Sequence, residues 1–189
     1  MLPEIDPKTV VAAAMAANAI LTAPLALLIK RDFRHLGRAS WAAAIWSGIA
    51  MHGHALATFL IAWLDRGSLY APAAWSVAAG GALAGTGLFI IVLGRRAYAS
   101  RARVYGLRED ELIERGVYRR TRNPQYAGYG VMFAGAAIAA GSLLAFVFSG
   151  VFALLIHVYI TWVEEPHLKR AFGAEYDAYS ARVGRYFRF

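Results

Sequence analysis

Five apolar runs constrain the fold of this chain more than any other feature of its sequence. A helix needs roughly 20 predominantly apolar residues to cross a hydrocarbon core of about 30 Å. Four of the runs reach this length, and the fifth, residues 126–140, is slightly shorter. Only Gly141 and Ser142 separate the short run from the last one, so these two runs are expected to form a tight helical hairpin. The four long runs are residues 10–29, 41–64, 73–94 and 143–163.

The composition is that of a membrane protein. Hydrophobic residues make up 59% of the 189 residues and charged residues only 17%, whereas soluble domains carry about 25% charged residues. We therefore predict an all-α integral membrane protein with five transmembrane helices and a C-terminal amphipathic helix at the cytoplasmic interface. A single membrane domain is expected over residues 1–189, with three spans in 1–94 and the hairpin and C-terminal helix in 95–189. Gly81 and Gly85 form a small-xxx-small pattern in the third run, which favours close packing within the bundle over dimerisation.

The basic residues predict the orientation, because Lys and Arg accumulate in cytoplasmic loops. Of the 20 Lys and Arg residues, 18 fall in residues 30–38, 95–122 and 164–189, which five crossings place on one side. The N-terminus is therefore expected outside and the C-terminus in the cytoplasm, in an inner membrane of bacterial or archaeal type. This topology and attraction to anionic lipid account for the net charge of +8, so no nucleic-acid partner is predicted. The absence of cysteine excludes disulfides and thiolate chemistry.

A polar loop of about thirty residues, 95–125, precedes the short run. Loops of this length usually contain secondary structure of their own or have a functional role. Residues 109–116 predict a short amphipathic helix that ends at a glycine. Asn123 is a good N-cap and Pro124 a good first residue, so the hairpin helix is expected to begin there. The free backbone N–H groups at such a helix start suit a carboxylate or a phosphate. Candidates for attracting an anionic substrate are Arg119, Arg120 and Arg122.

Two adjacent acids, Glu164 and Glu165, stand where the last apolar run ends. Pro166 follows them, and proline disfavours helical geometry at the preceding residue, so the chain is expected to bend here. In one interpretation Glu165 pairs with Lys169 four residues later and Glu164 is solvated. In the other, the two acids form an anionic site that receives an ammonium group or a ribose hydroxyl.

An aromatic pattern at helical spacing follows the acids. It predicts an amphipathic tail helix that lies on the membrane or covers a site as a lid. Interfacial anchoring is the favoured interpretation for most of its aromatic side chains, while one tyrosine could contact a bound molecule. The pattern consists of Phe172, Tyr176, Tyr179 and Val183.

Three histidines, His52, His54 and His157, lie within the apolar runs. An ionisable side chain at membrane depth is by default a functional hypothesis. Neutral histidines that form hydrogen bonds between helices explain the pattern at least as well. His52 and His54 are two residues apart and do not share a helix face, as metal ligands would, so no metal site is predicted.

The segment from Gly116 to Gly128 reads Gly-x-Tyr-x-x-x-Arg-Asn-Pro-x-Tyr-x-Gly. A short hairpin, Glu164-Glu165-x-x-Leu168 and the aromatic tail follow it. Over residues 94–187 this arrangement resembles the integral membrane methyltransferases of the isoprenylcysteine carboxyl methyltransferase and phospholipid methyltransferase superfamily. The resemblance implies an S-adenosylmethionine site on the cytoplasmic side, closed over by the C-terminal helix. It also implies a methyl acceptor that arrives from the bilayer.

The resemblance also assigns residues. Arg122 and Glu165 would take part in catalysis: Arg122 would orient an anionic acceptor, and Glu165 or His167 would assist loss of a proton from an amine. Two departures stand out: Asn123 occupies a position where the family often has histidine, and residues 160–163 lack an arginine often found there. The missing arginine argues against carboxylate recognition of a prenylcysteine type. The implied cofactor-binding residues are Gly116, Tyr118, Arg122, Asn123, Tyr126, Glu164, Glu165 and Tyr176.

The implied reaction is in-line methyl transfer to a carboxylate, amine or thiol of a lipophilic or membrane-partitioning acceptor. Its rate would depend mainly on alignment of the reactants and exclusion of water. Two alternatives stay open. One is a membrane reductase of the sterol type, in which the basic cluster at 119–122 binds the phosphates of NADPH. The other is a non-catalytic membrane scaffold. The acceptor and the oligomeric state stay open as well.

Overall fold

The structure, a computed structural model, describes residues 6–108 and 110–187. These residues form helices and no strand. Long helices pack into a bundle, and short helices close one of its ends. In chain order the elements are α1 (Pro7–His35), α2 (Trp41–Leu64), α3 (Ala74–Ala97), α4 (Arg101–Val104), a 3-10 turn (Gly116–Arg119), α5 (Pro124–Ala140), α6 (Leu143–Tyr159), a π-turn (Ile160–Glu164), α7 (Glu165–Phe172) and α8 (Ala174–Arg182).

Short polar side chains cap the N-terminal ends of three long helices. Each accepts a hydrogen bond from a backbone N–H group that has no partner within the helix. Asp6 accepts from the backbone N of Lys8 at the start of α1, at 3.2 Å. Ser40 and Ser142 cap α2 and α6 in the same way. These local interactions explain why α2 and α6 begin at the first residue of their apolar runs and why α1 begins at Pro7, three residues before its run.

Three helices in the described part of the chain are long and apolar enough to cross a membrane: Trp41–Leu64, Ala74–Ala97 and Leu143–Phe172. The predicted count of five spans is therefore corrected to three. Helix α5 has 17 residues and is about 25 Å long at 1.5 Å per residue, less than the hydrocarbon core of about 30 Å. The outer faces carry large apolar side chains, such as Trp63, which is 74% exposed. The chain is an all-α membrane protein.

The bundle has a tight end and an open end. At the tight end, Asp65 accepts hydrogen bonds from the Ser142 hydroxyl at 2.7 Å and from the Leu144 backbone at 2.9 Å. At the open end, the basic segments meet: the Ala39 backbone donates to the Gly106 carbonyl at 2.7 Å. The C-terminal ends of α1 and α3 and the N-terminal ends of α2 and α5 lie at this open end. The loop after α3 and the C-terminal tail close over them.

Helices α3 and α5 run antiparallel with their backbones in contact. A Cβ atom added at Gly87 would lie 2.5 Å from both the Gly128 carbonyl oxygen and the Met132 nitrogen. Added Cβ atoms at Gly80 and Gly135 would collide with the facing helix as well. Because there is no room for even a methyl group, α5 is held in register with α3 along most of its length.

The small-xxx-small motif predicted to pack α3 within the bundle does not lie on the face of α3 that contacts α5. Gly81 and Gly85 have no atom within 4 Å of an added Cβ, and both are exposed. The contact face instead repeats every seven residues, at Gly80, Gly87 and Gly94. Seven residues are close to two helical turns, so these glycines share one face.

The helix does not end before Pro166, although the proline was expected to disfavour helical geometry at Glu165. Glu165 has helical geometry, with φ −60° and ψ −42°, and α6 continues into α7 through the π-turn. The backbone N–H of Glu165 donates to the Ile160 carbonyl, five residues earlier. This wider turn makes room for the proline ring, which would clash with the carbonyl four residues before it in a regular helix.

The predicted helix over residues 109–116 is not present among its described residues, and Glu109 lies outside them. Arg103 holds this segment instead: it pairs with Asp110 at 2.8 Å and with Glu111 at 2.9 Å. The hydrogen bond from Arg103 lowers the pKa of Asp110 to about 2. Asp110 and Glu111 therefore form ion pairs with Arg103 instead of lying on the face of a helix. Gly116, with φ of 61°, begins the 3-10 turn rather than ending a helix.

The aromatic tail packs against the protein rather than against lipid. Gly173, with φ of 51°, separates α7 from α8. Tyr176 and Tyr179 are only 4% and 3% exposed, so interfacial anchoring, the interpretation favoured for most of these side chains, applies to neither. They form a cluster with Val183, and Leu112, Leu168 and Phe172 pack against it. The tail therefore covers the open end of the bundle as a lid.

Candidate functional site

A cavity of about 200 Å³ lies at the open end of the bundle, under the lid. Helices α1, α2, α3, α5, α7 and α8, the π-turn and the polar loop all contribute to its wall. Gly116 is not among its lining residues, and the nearest neighbour of an added Cβ there is the Ala97 side chain, at 3.9 Å. The other residues predicted for the site all line it, namely Tyr118, Arg122, Asn123, Tyr126, Glu164, Glu165 and Tyr176.

Glu165 is the centre of an array of charged side chains. Its two oxygens accept from Arg185 at 2.8 and 2.7 Å, and one of them also contacts Arg122 at 3.0 Å. Arg122 in turn donates to the Tyr176 hydroxyl at 2.6 Å. The side chains of Arg122 and Glu165 are only 12% and 18% exposed. Charge-assisted pairs that are this well shielded from water hold their partners firmly, so the array joins the segment just before α5 to α7, α8 and the tail.

The predicted pairing of Glu165 with Lys169 does not form. Lys169 instead contacts Asp177 at 3.1 Å, and both side chains are more than half exposed. An exposed pair of this kind contributes little to stability. Glu165 pairs with the arginines instead, because the helix continues through the π-turn and Glu165 lies at the cavity wall.

Helix α5 begins at Pro124, as predicted, but Asn123 does not cap it with its side chain. The Asn123 amide nitrogen donates to the Arg185 carbonyl at 3.1 Å, and the Thr121 hydroxyl donates to the same carbonyl at 3.0 Å. Asn123 is 6% exposed and Thr121 is fully buried. The side chain that the sequence placed at a helix start therefore fastens the C-terminal tail over the cavity.

Buried tyrosines connect the lid to the 3-10 turn. The Tyr179 hydroxyl donates to the Tyr118 carbonyl at 2.8 Å, and Gln125 donates to the Tyr118 hydroxyl at 3.3 Å. Burial raises the pKa of Tyr118 and of Tyr176 to about 12, and it raises the pKa of Tyr179 further. At physiological pH these phenols are neutral, so they act as hydrogen-bond donors and as aromatic walls.

The arginines that face the cavity are not all those predicted. Arg119 and Arg120 are exposed and do not line it. Arg95, at the end of α3, does line it and donates to the Tyr129 hydroxyl at 3.1 Å. Neither Arg95 nor Tyr129 was predicted. The signal in the sequence is an arginine that directly follows the last apolar residue of a span.

The histidines have separate surroundings. His54 is buried and stacks on Phe148, with ring centroids 4.2 Å apart. His52 contacts the Gly48 carbonyl of its own helix, and His157 contacts the Tyr186 hydroxyl. His167 is 2% exposed and lines the cavity. Within residues 6–108 and 110–187, no three His, Asp or Glu side chains are grouped as metal ligands.

A second, mainly apolar cavity of about 110 Å³ lies between α1, α2 and α6. It adjoins the first cavity, because Tyr126 and Tyr159 line both. The two rings meet edge to face, with centroids 6.2 Å apart. Polar and apolar compartments therefore meet at these two tyrosines. Ile29, Ser47 and Met51 also line both cavities.

Comparison with known proteins identifies a family. The family model described as phospholipid methyltransferase matches residues 75–175. No curated protein and no solved structure matches the chain. The matched region is more than half of the 189 residues and includes Arg95, Arg122, Glu164 and Glu165. The chain therefore belongs to the phospholipid methyltransferase family of membrane proteins.

Proposed function

We propose that this protein transfers a methyl group from S-adenosylmethionine to a lipophilic or membrane-partitioning acceptor. One observation carries the proposal: paired acids, a shielded arginine array and an aromatic lid surround a cavity that adjoins an apolar one. The family match independently supports a membrane methyltransferase. A carboxylate, amine or thiol remains the proposed acceptor group.

The side chains around the cavity fit this cofactor by charge. S-adenosylmethionine carries a carboxylate, an ammonium group and a sulfonium group. Glu164 offers a carboxylate for the ammonium group or for a ribose hydroxyl. Tyr118 and Tyr126 offer aromatic faces, which attract a cation such as a sulfonium. The Nε atom of Arg122 is buried and has no hydrogen-bond partner in the described residues, so a polar group of a ligand would satisfy it.

When bound, S-adenosylmethionine supplies a methyl group activated by its positively charged sulfur. The protein's part is to align the reactants and exclude water, which the buried tyrosines of the lid serve. Arg122 would orient the bound molecules. Glu165 would hold Arg122 in place, because both of its oxygens are already engaged by guanidinium groups. If the acceptor is an amine, His167 is the cavity residue best suited to take its proton.

The proposed acceptor reaches the site along the apolar cavity between α1, α2 and α6. Its apolar part would lie there, with its reactive atom near Tyr126 and Tyr159, where the cavities meet. We further propose that the open end of the bundle faces the cytoplasm. The basic segments gather at this end, and such segments are retained on the cytoplasmic side.

Calorimetry on the detergent-solubilised protein tests the cofactor. We expect S-adenosylhomocysteine to bind the parent protein and to bind Glu164→Gln and Tyr126→Ala variants at least tenfold more weakly. Glu175→Gln is the matched control, because Glu175 is an exposed acid on α8 that does not line the cavity. Binding of NADPH in place of S-adenosylhomocysteine would instead support the reductase. If neither ligand binds, the scaffold is favoured.

The acceptor requires a separate experiment. The protein is incubated with methyl-labelled S-adenosylmethionine and a lipid extract of the source cells, and labelled products are identified by mass spectrometry. We expect the label in a membrane-partitioning molecule. Labelling confined to water-soluble compounds would refute the proposed route through the apolar cavity.

A further inference from the structure

Arg95 and Tyr129 form a polar pair in the cavity that none of the predicted cofactor contacts uses. Arg95 lies in the last turn of α3, and Tyr129 lies in the second turn of α5. An Arg95 Nη atom donates to the Tyr129 hydroxyl at 3.1 Å, and both side chains line the cavity. The close packing of α3 on α5 fixes the two residues relative to each other.

This pair has two donors without acceptors. The Nε atom of Arg95 is buried and has no hydrogen-bond partner within residues 6–108 and 110–187. The Tyr129 hydroxyl accepts from Arg95, and its own proton has no acceptor among the described residues. Tyr129 is only 7% exposed, so water has little access to it. Buried donors without acceptors are costly, and proteins rarely keep them without a ligand or an ordered water.

Arg95 also lacks a carboxylate partner in the described part of the chain. Other arginines of the cavity have carboxylate partners: Arg103 and Arg108 contact Asp110, and Arg122 contacts Glu165. For Arg95, no ion pair is found within residues 6–108 and 110–187. A guanidinium group that is shielded from water is costly unless an anion accompanies it.

The helix dipole does not explain this arrangement. Basic residues are favoured in the last turn of a helix, and this accounts for Arg96, which is exposed and does not line the cavity. It does not account for a neighbouring arginine that is turned inward with a buried Nε atom. Nor does it account for a buried phenol placed against that arginine.

We propose that Arg95 and Tyr129 form an anion-binding subsite, in which a carboxylate or phosphate oxygen accepts from Arg95 Nε and from the Tyr129 hydroxyl. A guanidinium group combined with a neutral hydroxyl is well suited to such an oxygen. Arg122 is less suited, because Glu165 already neutralises it. This inference rests on the proposed function only in its choice of ligands: the anion belongs either to the cofactor or to the acceptor.

Three ligands distinguish these sources in binding measurements on the detergent-solubilised protein. S-adenosylhomocysteine carries a carboxylate, methylthioadenosine lacks the amino-acid part, and dodecyl phosphate is an anionic amphiphile. Each is titrated by calorimetry against the parent protein and against Arg95→Met and Tyr129→Phe variants. Arg96→Met is the matched control, because it removes the adjacent, exposed arginine. Tyr129→Phe preserves the shape of the side chain, so it tests the subsite even if Arg95→Met does not fold.

Loss of a hydrogen bond to a charged group should weaken binding about tenfold or more. If the anion is the cofactor carboxylate, both variants weaken S-adenosylhomocysteine and leave methylthioadenosine unchanged. If it belongs to the acceptor, both weaken dodecyl phosphate and leave S-adenosylhomocysteine unchanged. The subsite is refuted if both variants bind all three ligands as Arg96→Met does. Failure of the parent protein to bind S-adenosylhomocysteine would refute the proposed function, while dodecyl phosphate would still test the subsite.

Discussion

Replacement of Gly87 by alanine should separate α3 from α5 and disturb the site that they share. The added Cβ would lie 2.5 Å from two backbone atoms of α5. Carbon and its neighbours pack at roughly 3.5 Å or more, so α5 would have to move by about 1 Å. Backbone cannot rotate away as a side chain can, and the movement would propagate to Tyr129 and to the start of α5 at Pro124.

The expected cost follows from this geometry. Overpacking in a well-packed interior costs about 1–3 kcal/mol, and obstruction by backbone places Gly87→Ala at the upper end. Alanine also favours the helix over glycine by about 1 kcal/mol. That gain is the same at Gly85, where an added Cβ meets no atom within 4 Å. The two variants should therefore differ in free energy of unfolding by about 3 kcal/mol, with Gly87→Ala the less stable.

Thermal unfolding of the two variants in the same detergent measures the difference. For a chain of this length, about 3 kcal/mol corresponds to roughly 6–12 °C in Tm. Affinity for S-adenosylhomocysteine should fall in Gly87→Ala and stay unchanged in Gly85→Ala. Equal melting temperatures for the two variants would show that α3 and α5 are not in backbone contact, and the assignment of the packing face would then be wrong.

Other perturbations act on the lid and the tail. Glu165→Gln should lower the free energy of unfolding by about 2 kcal/mol, which is less than for a fully buried pair because its partners are partly exposed. Limited proteolysis of the tail should become faster in this variant, whereas Asp177→Asn, which breaks the exposed pair with Lys169, should leave the proteolysis rate unchanged. Equal rates in the two variants would refute the tethering role of Glu165. Asn123→Ala should cost about 1–2 kcal/mol because it removes a hydrogen bond to the Arg185 carbonyl; unchanged chemical denaturation would contradict this. The pKa of Tyr176 is about 12 in the folded protein, above its ordinary value of 10.0, so the unfolded chain loses this proton first and stability falls as pH rises from 10 to 12, by at most about 1.4 kcal/mol per pH unit. Unfolding of Tyr176→Phe should depend less steeply on pH over this range, and identical slopes would show that the phenol is not shielded.

Local sequence information predicted the helices well. Helix α2 begins and ends at the predicted residues 41 and 64, and α5 begins at Pro124. Apolar length, a capping serine and a proline at the first position are properties of a few neighbouring residues. They act before any tertiary contact forms, so the sequence is sufficient for them. The same holds for the membrane character of the chain.

Most of the predicted site residues also came together in one cavity. They occur at the ends of apolar runs that topology brings to one side, so their proximity follows from chain order. What they contact does not follow from it. Glu165 had Lys169 within reach along the helix, yet Arg122 and Arg185 take its oxygens. The ion pairs with these two arginines form in preference to a pair with Lys169, because the arginines are held in a shielded cavity, where charge attraction is stronger than at the surface.

Composition and local sequence are enough to identify an apolar, helical membrane protein with a polar, charged corner at one end. They are enough because apolar length, helix caps and charge distribution are local or compositional properties. Which face of α3 meets α5 depends on contacts between helices, and these contacts place Gly87 inside and Gly85 outside. The same rotation placed Arg95 against Tyr129 and Arg96 in the open. The rotation of a nearly all-apolar helix about its axis is set by the shape of its neighbour, because its own pattern barely distinguishes one face from another.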